Sequence, residues 1–453
     1  MKQRTLDMTQ GHPGKLLIAF ALPLMAGNIF QQLYTVVDTA IVGQGVGMQA
    51  LAALGTVDWM NWMYLSITQG FTQGFSVRLS QKFGQNDLQG LKKSIGISIR
   101  LSVILAVAFT VIAQLLLNTF LGLLQVPDDL RPMATLYSRV ILLGIPAMVY
   151  YNLTASILRS VGDSRTPLVA MIAAALTNIL LDCIAVFALH LGVWGAAAAT
   201  VLAQCVAGTV CLTKIRKMPI LKLEREHLKQ DTLIAGKLLA LGLPLAAQNV
   251  IISVGGMAVQ SVVNRYETSF IAGFTATNKL YGVLEIAAIS YGFAITTYTG
   301  QNYGAMRWDR IRKGVRWAEW ISLGTSAVIG ALMVLLGRMI TMLFISAEDA
   351  VQAAAAGDTA YRYLCVMSVS LPVLYLLYAY RSALQGMGNT LIPLLSGVVE
   401  FVVRVGTAFV ISGAGNPERI FLAEPIAWSG AALLLGWAYY YERRKITKVR
   451  GRP

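Results

Sequence analysis

Residues 22–43 read LPLMAGNIFQQLYTVVDTAIVG, an apolar run that carries one carboxylate, Asp38, and one proline, Pro23. It extends an apolar stretch starting near residue 15, and together they are long enough to cross a bilayer as a helix. The opening then recurs. Leu22-Pro23-Leu24 returns as Leu243-Pro244-Leu245 and Asn28 as Asn249, at an offset of 221. The Gly84-Gln85-Asn86 turn returns as Gly300-Gln301-Asn302 at an offset of 216. Pro146, Leu158, Gly162 and Pro167 return as Pro372, Leu384, Gly388 and Pro393 at 226. Single matches of Gly and Pro mean little in membrane helices, but a shared order at a near-constant offset marks an internal repeat.

Composition agrees with a membrane reading. Of 453 residues, 56% are hydrophobic and only 13% charged, against about 25% charged in a soluble domain. Mean hydropathy is +0.61. The net charge of +15 sits in short segments between apolar runs, which is the pattern of membrane topology and not of a nucleic-acid-binding face. Twelve spans follow, near 15–43, 51–76, 95–120, 134–158, 168–190 and 194–213, then 236–263, 270–298, 316–344, 359–385, 391–412 and 421–441. A further turn signal runs from Gly413 to Pro417.

With the N-terminus inside, 29 Lys and Arg fall on the cytoplasmic side and 6 outside. This bias places both termini in the cytoplasm, as an even span count requires. The chain divides into an N-terminal six-helix lobe (1–213), a charged cytoplasmic linker (214–235) and a C-terminal six-helix lobe (236–453). Six spans per repeat give both halves the same orientation, related by an axis along the membrane normal. Leu221, Leu223, His227 and Leu228 among Lys222, Arg225 and Lys229 predict an amphipathic linker helix on the membrane surface. Cys183, Cys205, Cys211 and Cys365 form no CxxC pair, so neither disulfides nor zinc are implied. The first apolar run has no small-residue cleavage site and is expected to remain as a span.

Ionisable side chains at bilayer depth are expensive, so each needs a reason. Asp38 lies five residues, about 8 Å, below the outer end of span 1. Asp182 lies about 12 Å below that of span 5, and Asn178 precedes it by four residues, on the same helical face. Thr200 in span 6 lies at about 10 Å. Two carboxylates, an amide oxygen and a hydroxyl at one depth suit a hard monovalent cation or shared protons. At the offset of 226, Asn178 corresponds to Arg404 and Asp182 to Ala408, so the acid set belongs to the first repeat alone. The second repeat carries Lys279, Glu285, Glu400 and Arg404. Glu400 and Arg404 stand one turn apart and should pair. Two readings of these four charges stand side by side: an ion-pair network tying spans 8 and 11, or a cationic-substrate site at Glu285, with Tyr281 on its face.

The run from Leu22-Pro23-Leu24 through Asn28, Gln31, Gln32, Tyr34 and Asp38 to Val42-Gly43 resembles the first helix of multidrug and toxic compound extrusion (MATE) transporters. Gly84-Gln85-Asn86 and Leu158-Arg159-Ser160-Val161-Gly162-Asp163 resemble the same family, as do their second-half partners. The resemblance covers nearly the whole chain. It implies an all-α integral membrane protein, with twelve transmembrane helices in two parallel-repeat six-helix lobes forming a V. In the DinF-like branch, an Asp on the first helix joins an Asn and an Asp on the fifth and a Thr on the sixth in a cation site. Asp38, Asn178, Asp182 and Thr200 match that pattern.

The resemblance further implies a bacterial inner-membrane exporter of small amphipathic or cationic xenobiotics, driven by antiport of Na⁺ or H⁺. It would be no enzyme, need no cofactor, and have as partners its small-molecule substrates and the lipid bilayer. One chain holds both lobes, so a monomer suffices. Tyr34 and Asn152 are candidate substrate contacts beside Tyr281 and Glu285. Pro23 is either a hinge or a static kink. A lipid-linked precursor flippase or a metabolite exporter of the same superfamily is the alternative.

Overall fold

The fold is seen in a computed structural model that describes residues 6–342, 350–412 and 417–450. Among them there is no strand. The helices are α1 (Pro13–Gly45), α2 (Met48–Gly84), α3 (Leu88–Leu123), α4 (Arg131–Leu143), α5 (Ile145–Ser160), α6 (Arg165–Cys183), α7 (Gly192–Arg216), α8 (Thr232–Val263), α9 (Thr268–Gly304), α10 (Trp308–Met342), α11 (Ala350–Gly386), α12 (Leu391–Ser412) and α13 (Ala423–Arg450). The last residues of the ninth expected span, to 344, and the Gly413–Asn416 part of the turn signal lie outside the described residues. All four cysteines are free.

Among the described residues ten helices are long and apolar enough to cross a membrane, and α4 with α5 makes an eleventh span bent by 42°. The remaining long helix, α2, has 37 residues but carries Asp58, Asn61, Gln69, Gln73 and Arg78 along its length and is less apolar than these. The single span expected at 134–158 is therefore broken. Pro146 has no N–H to give, and Gly144 just before it packs so close to Val201 of α7 that a Cβ there would overlap it. Its repeat partner Pro372 leaves α11 unbroken. The residue two before it is Ser370, whose hydroxyl donates to the Val366 carbonyl at 2.8 Å.

The chain separates into two compact units. One contains residues 22–246, preceded by 1–8, and the other contains 9–21 with 247–453. Packing thus divides the chain within α1 and within α8 and not within the linker. Small residues explain the membership. Gly70 and Gly74 of α2 let the backbone of α8 approach at Ala246 and Gly242. Gly14 of α1 lies under the Trp317 ring of α10. Each crossing falls close to a proline, Pro23 in α1 and Pro244 in α8.

In the first unit, Phe75 and Leu79 of α2, Leu91 and Ile95 of α3, Ile157 of α5 and Ile215 of α7 share one core. In the second, α11 is central and packs on α9, α10 and α13. Four rings, Phe274, Tyr363, Phe421 and Phe270, stack in sequence there at centroid spacings of 4.6, 4.8 and 5.6 Å.

Two expectations are corrected. The linker is not an amphipathic helix. It forms two short 3₁₀ turns, Pro219–Leu221 and Arg225–Leu228, separated by extended residues. Leu221 and His227 are buried in protein and do not face lipid. The His227 ring accepts the Glu224 N–H at 3.0 Å and meets Gln89 Oε1 at 2.8 Å, while its carbonyl rests on Gly96 of α3. The second copy of the Gly-Gln-Asn turn is also displaced. Gly300-Gln301-Asn302 is helical, and the left-handed residue that matches Asn86 (φ 57) is Met306 (φ 57), at an offset of 220. Gly162 and Gly388 do match, with φ of 87 and 90.

Candidate functional site

Helix packing sets the depth of Asp38. Gly27 of α1 lies against Leu168 and Met171 of α6, and Gly45 lies against Val186 and Phe187 just beyond it. The Gly45 contact needs the missing Cβ, since one there would overlap Val186 and Phe187. Between them the two helices advance by a similar number of residues, so they run parallel in register. That register brings Asp38 level with the last turn of α6, where Asp182 and Asn178 sit. Directly after Asp182 the helix widens into a π turn, Ile184–Ala188, an irregularity that often marks functional positions.

Asn178 and Asp182 are fully buried, and Asp38 and Thr200 are half-buried. The Asp38 and Asp182 carboxyls come within hydrogen-bonding reach of each other. The Asn178 Nδ2 donates to Thr200 Oγ1 at 3.5 Å, and that hydroxyl donates to the Ala196 carbonyl at 3.2 Å. Four oxygens have no donor: Asp38 Oδ1, Asn178 Oδ1 and both oxygens of Asp182. Buried acceptors normally find partners. Here the side chains of α1 and α6 instead turn unsatisfied oxygens together, an all-oxygen donor set suited to Na⁺ or to a shared proton.

Two further residues belong to this neighbourhood and were not anticipated. Tyr34, one turn before Asp38, reaches Gln31 and Gln204. Gln204 of α7 is buried one turn after Thr200, so the four-residue spacing could have revealed it. Tyr137 of α4 lies within electrostatic range of Asp38, Asp58 and Asp182. Nothing in its local sequence marks it. Asn152 is buried in α5, and its amide donates to the Met148 carbonyl of its own helix at 2.9 Å.

The second unit carries a different polar chain. Glu400 of α12 accepts from Arg404 at 2.6 Å, as its spacing predicts, and from Arg381 of α11 at 2.9 Å. Arg404 also pairs with Glu424 of α13 at 2.8 Å. The network therefore joins α11, α12 and α13. Arg381 and Glu424 are its missed members, and Lys279 and Glu285 form no ion pair in it. Lys279 is exposed. Glu285 accepts the hydroxyls of Tyr378 at 2.5 Å and Tyr281 at 3.2 Å. Tyr281 stacks on Trp428 with 5.7 Å between centroids, and Arg381 lies 5.6 Å over the Tyr378 ring. Arg404 and Ala408 occupy the buried face that Asn178 and Asp182 occupy in the first repeat.

The MatE family profile matches the chain twice, at residues 23–184 and 244–410. The two copies reproduce the repeat read from Leu22-Pro23-Leu24 and its later partners. The chain is 28% identical to the probable multidrug resistance protein YpnP of Bacillus subtilis (strain 168), over 98% of this chain and 99% of that one. It is 26% identical to the probable multidrug resistance protein YoeA of the same organism, over 95% and 94%. A MOP superfamily transporter from Pyrococcus furiosus superposes with a TM-score of 0.92 at 22% identity, covering 99% of each chain. Double coverage by one profile, a helical fold of membrane-crossing length and an internal repeat converge: this chain is a multi-pass membrane transporter of the MatE family.

Proposed function

We propose that this chain is a secondary active exporter of small amphipathic molecules, organic cations among them, driven by antiport of Na⁺ or H⁺ at Asp38, Asn178, Asp182 and Thr200. The observation that carries the reading is the group of four buried oxygens without donors. Two facing carboxylates repel when both are charged, and a bound monovalent cation or one shared proton removes that repulsion. Loading and unloading therefore change how firmly α1 is held against α6. Fifteen residues before Asp38, Pro23 leaves the Ala19 carbonyl without its helical donor. Bending there is the response to site occupancy that we assign to Pro23.

The likeness to two probable multidrug resistance proteins of Bacillus subtilis supports drug-like cargo. Tyr34 and Asn152 in the first unit, and Tyr281 and Glu285 in the second, are the proposed substrate contacts. The carboxylate of Glu285, braced by two tyrosine hydroxyls, would attract a cationic group. The bacterial relatives support a bacterial inner membrane, and the Lys/Arg bias supports both termini being cytoplasmic. The repeat supports a working division at 1–213, 214–235 and 236–453, in one self-sufficient chain.

The test is ethidium efflux from proteoliposomes under a Na⁺ gradient and, separately, a pH gradient. Wild type should respond to one of them. Asp38→Asn and Asp182→Asn should each lose that response by about tenfold or more. Gradient-driven efflux retained in both variants would remove the acid pair from coupling.

A further inference from the structure

The exposed flanks in the second unit are of two kinds. On α10 the exposed large residues include Trp320, Val328, Leu332, Leu335, Leu336 and Met339, and on α12 Leu395, Val402, Phe409 and Val410. These flanks are apolar, as contact with lipid tails requires. The open flank of α9 differs. Ala272, Thr275, Lys279, Gly282 and Val283 recur at helical spacing along it, each exposed or half-exposed. Apart from Val283, small and polar residues surround the ammonium where the other helices place large apolar side chains.

Lys279 stands eleven residues, about 16 Å, from the outer start of α9. That depth is near the middle of a hydrocarbon core about 30 Å thick, too deep for the stem to lift the charge to the headgroups. Among the described residues the ammonium has no ion pair, hydrogen bond or aromatic partner. The acid six residues on, Glu285, is held by Tyr281 and Tyr378. An unpaired charge at this depth is tolerated where its helix face meets water. A cation on the wetted wall of an exporter draws negative groups from solution.

We propose that Lys279 is a substrate-recognition residue that binds the anionic group, a carboxylate, sulfonate or phosphate, of amphipathic cargo. The transported class then includes anions and zwitterions as well as cations. This rests on the exporter reading but not on its coupling site, so the test is equilibrium binding without any gradient. Full-length protein in dodecyl maltoside is titrated against carboxyfluorescein, an anion, and ethidium, a cation, by fluorescence anisotropy. Lys279→Ala should weaken carboxyfluorescein binding about tenfold or more while ethidium stays within about twofold. Lys279→Arg should retain the anion, and Lys279→Glu should lose it while tightening ethidium. Added salt should weaken the anion more than the cation. The proposal is overturned if wild type does not bind carboxyfluorescein, if Lys279→Ala binds it as wild type does, or if both probes weaken equally. Lys279→Arg, with its elution profile on gel filtration, separates loss of charge from loss of fold.

Discussion

Replacing Arg404 with methionine should unfold the second unit at markedly lower temperature. The guanidinium is buried and is shared by Glu400 at 2.6 Å and Glu424 at 2.8 Å. Methionine keeps most of the volume and removes the charge. Glu400 still has Arg381 at 2.9 Å, but Glu424, with its side chain 17% exposed, loses its ion-pair partner. Breaking a buried pair from one side costs about 3–5 kcal/mol, because a desolvated charge is left behind. Removing that charge as well should recover part of the loss, since an apolar or neutral replacement of both partners is often close to neutral. The order of stability should therefore be wild type, then Arg404→Met with Glu424→Gln, then Arg404→Met alone. Heating the purified protein in detergent and following the monodisperse fraction by gel filtration reads this order. The double variant falling below the single one would refute the view that Arg404 neutralises Glu424, as would a single variant as stable as wild type.

Two other outcomes are expected. Asp87, at the turn before α3, is held below the ordinary carboxylate range by the Lys82 ammonium and the Gly90 N–H. Its folded-state value is depressed, so its contribution is present at neutral pH and fades as pH falls through that value; Asp87→Ala should lower the melting temperature at pH 7 and lose that effect only as pH falls below the ordinary carboxylate range. Pro23→Ala restores a helical N–H in α1, so the variant should melt no lower than wild type yet transport ethidium several-fold more slowly in proteoliposomes, and unchanged transport would refute a hinge at Pro23.

Much of this architecture was legible because bilayer solvent leaves so few choices. Runs of twenty apolar residues must be helices, and scarce charges within them stand out, which is why Asp38, Asp182, Glu400 and Arg404 could be picked by inspection. Their spacing also told that Glu400 would meet Arg404 and that Asn178 would share a buried face with Asp182. What resisted was tertiary. Tyr137 reaches the acid pair from another helix with no periodic relation to it, and Arg381 and Glu424 join the second network from span ends that hydropathy assigns to the aqueous boundary. The linker misled because the spacing of Leu221, His227 and Leu228 fits an interfacial helix, whereas Pro219 and the extended Lys222 and Lys229 break it into turns from which Leu221 and His227 sink into protein. Gly144 and Pro146 break one span while Pro372 spares its counterpart, and the difference lies in neighbours such as Val201 and Ser370 that no hydropathy profile weighs.

The exchange of residues 9–21 and 232–246 between the two compact units bears on how such a chain could mature. Neither duplicated half closes upon itself, since each lends an opening arm to the other and borrows one in return. During synthesis the early arm must wait for downstream helices before its final partner exists, so insertion of the first repeat cannot be the end of its folding.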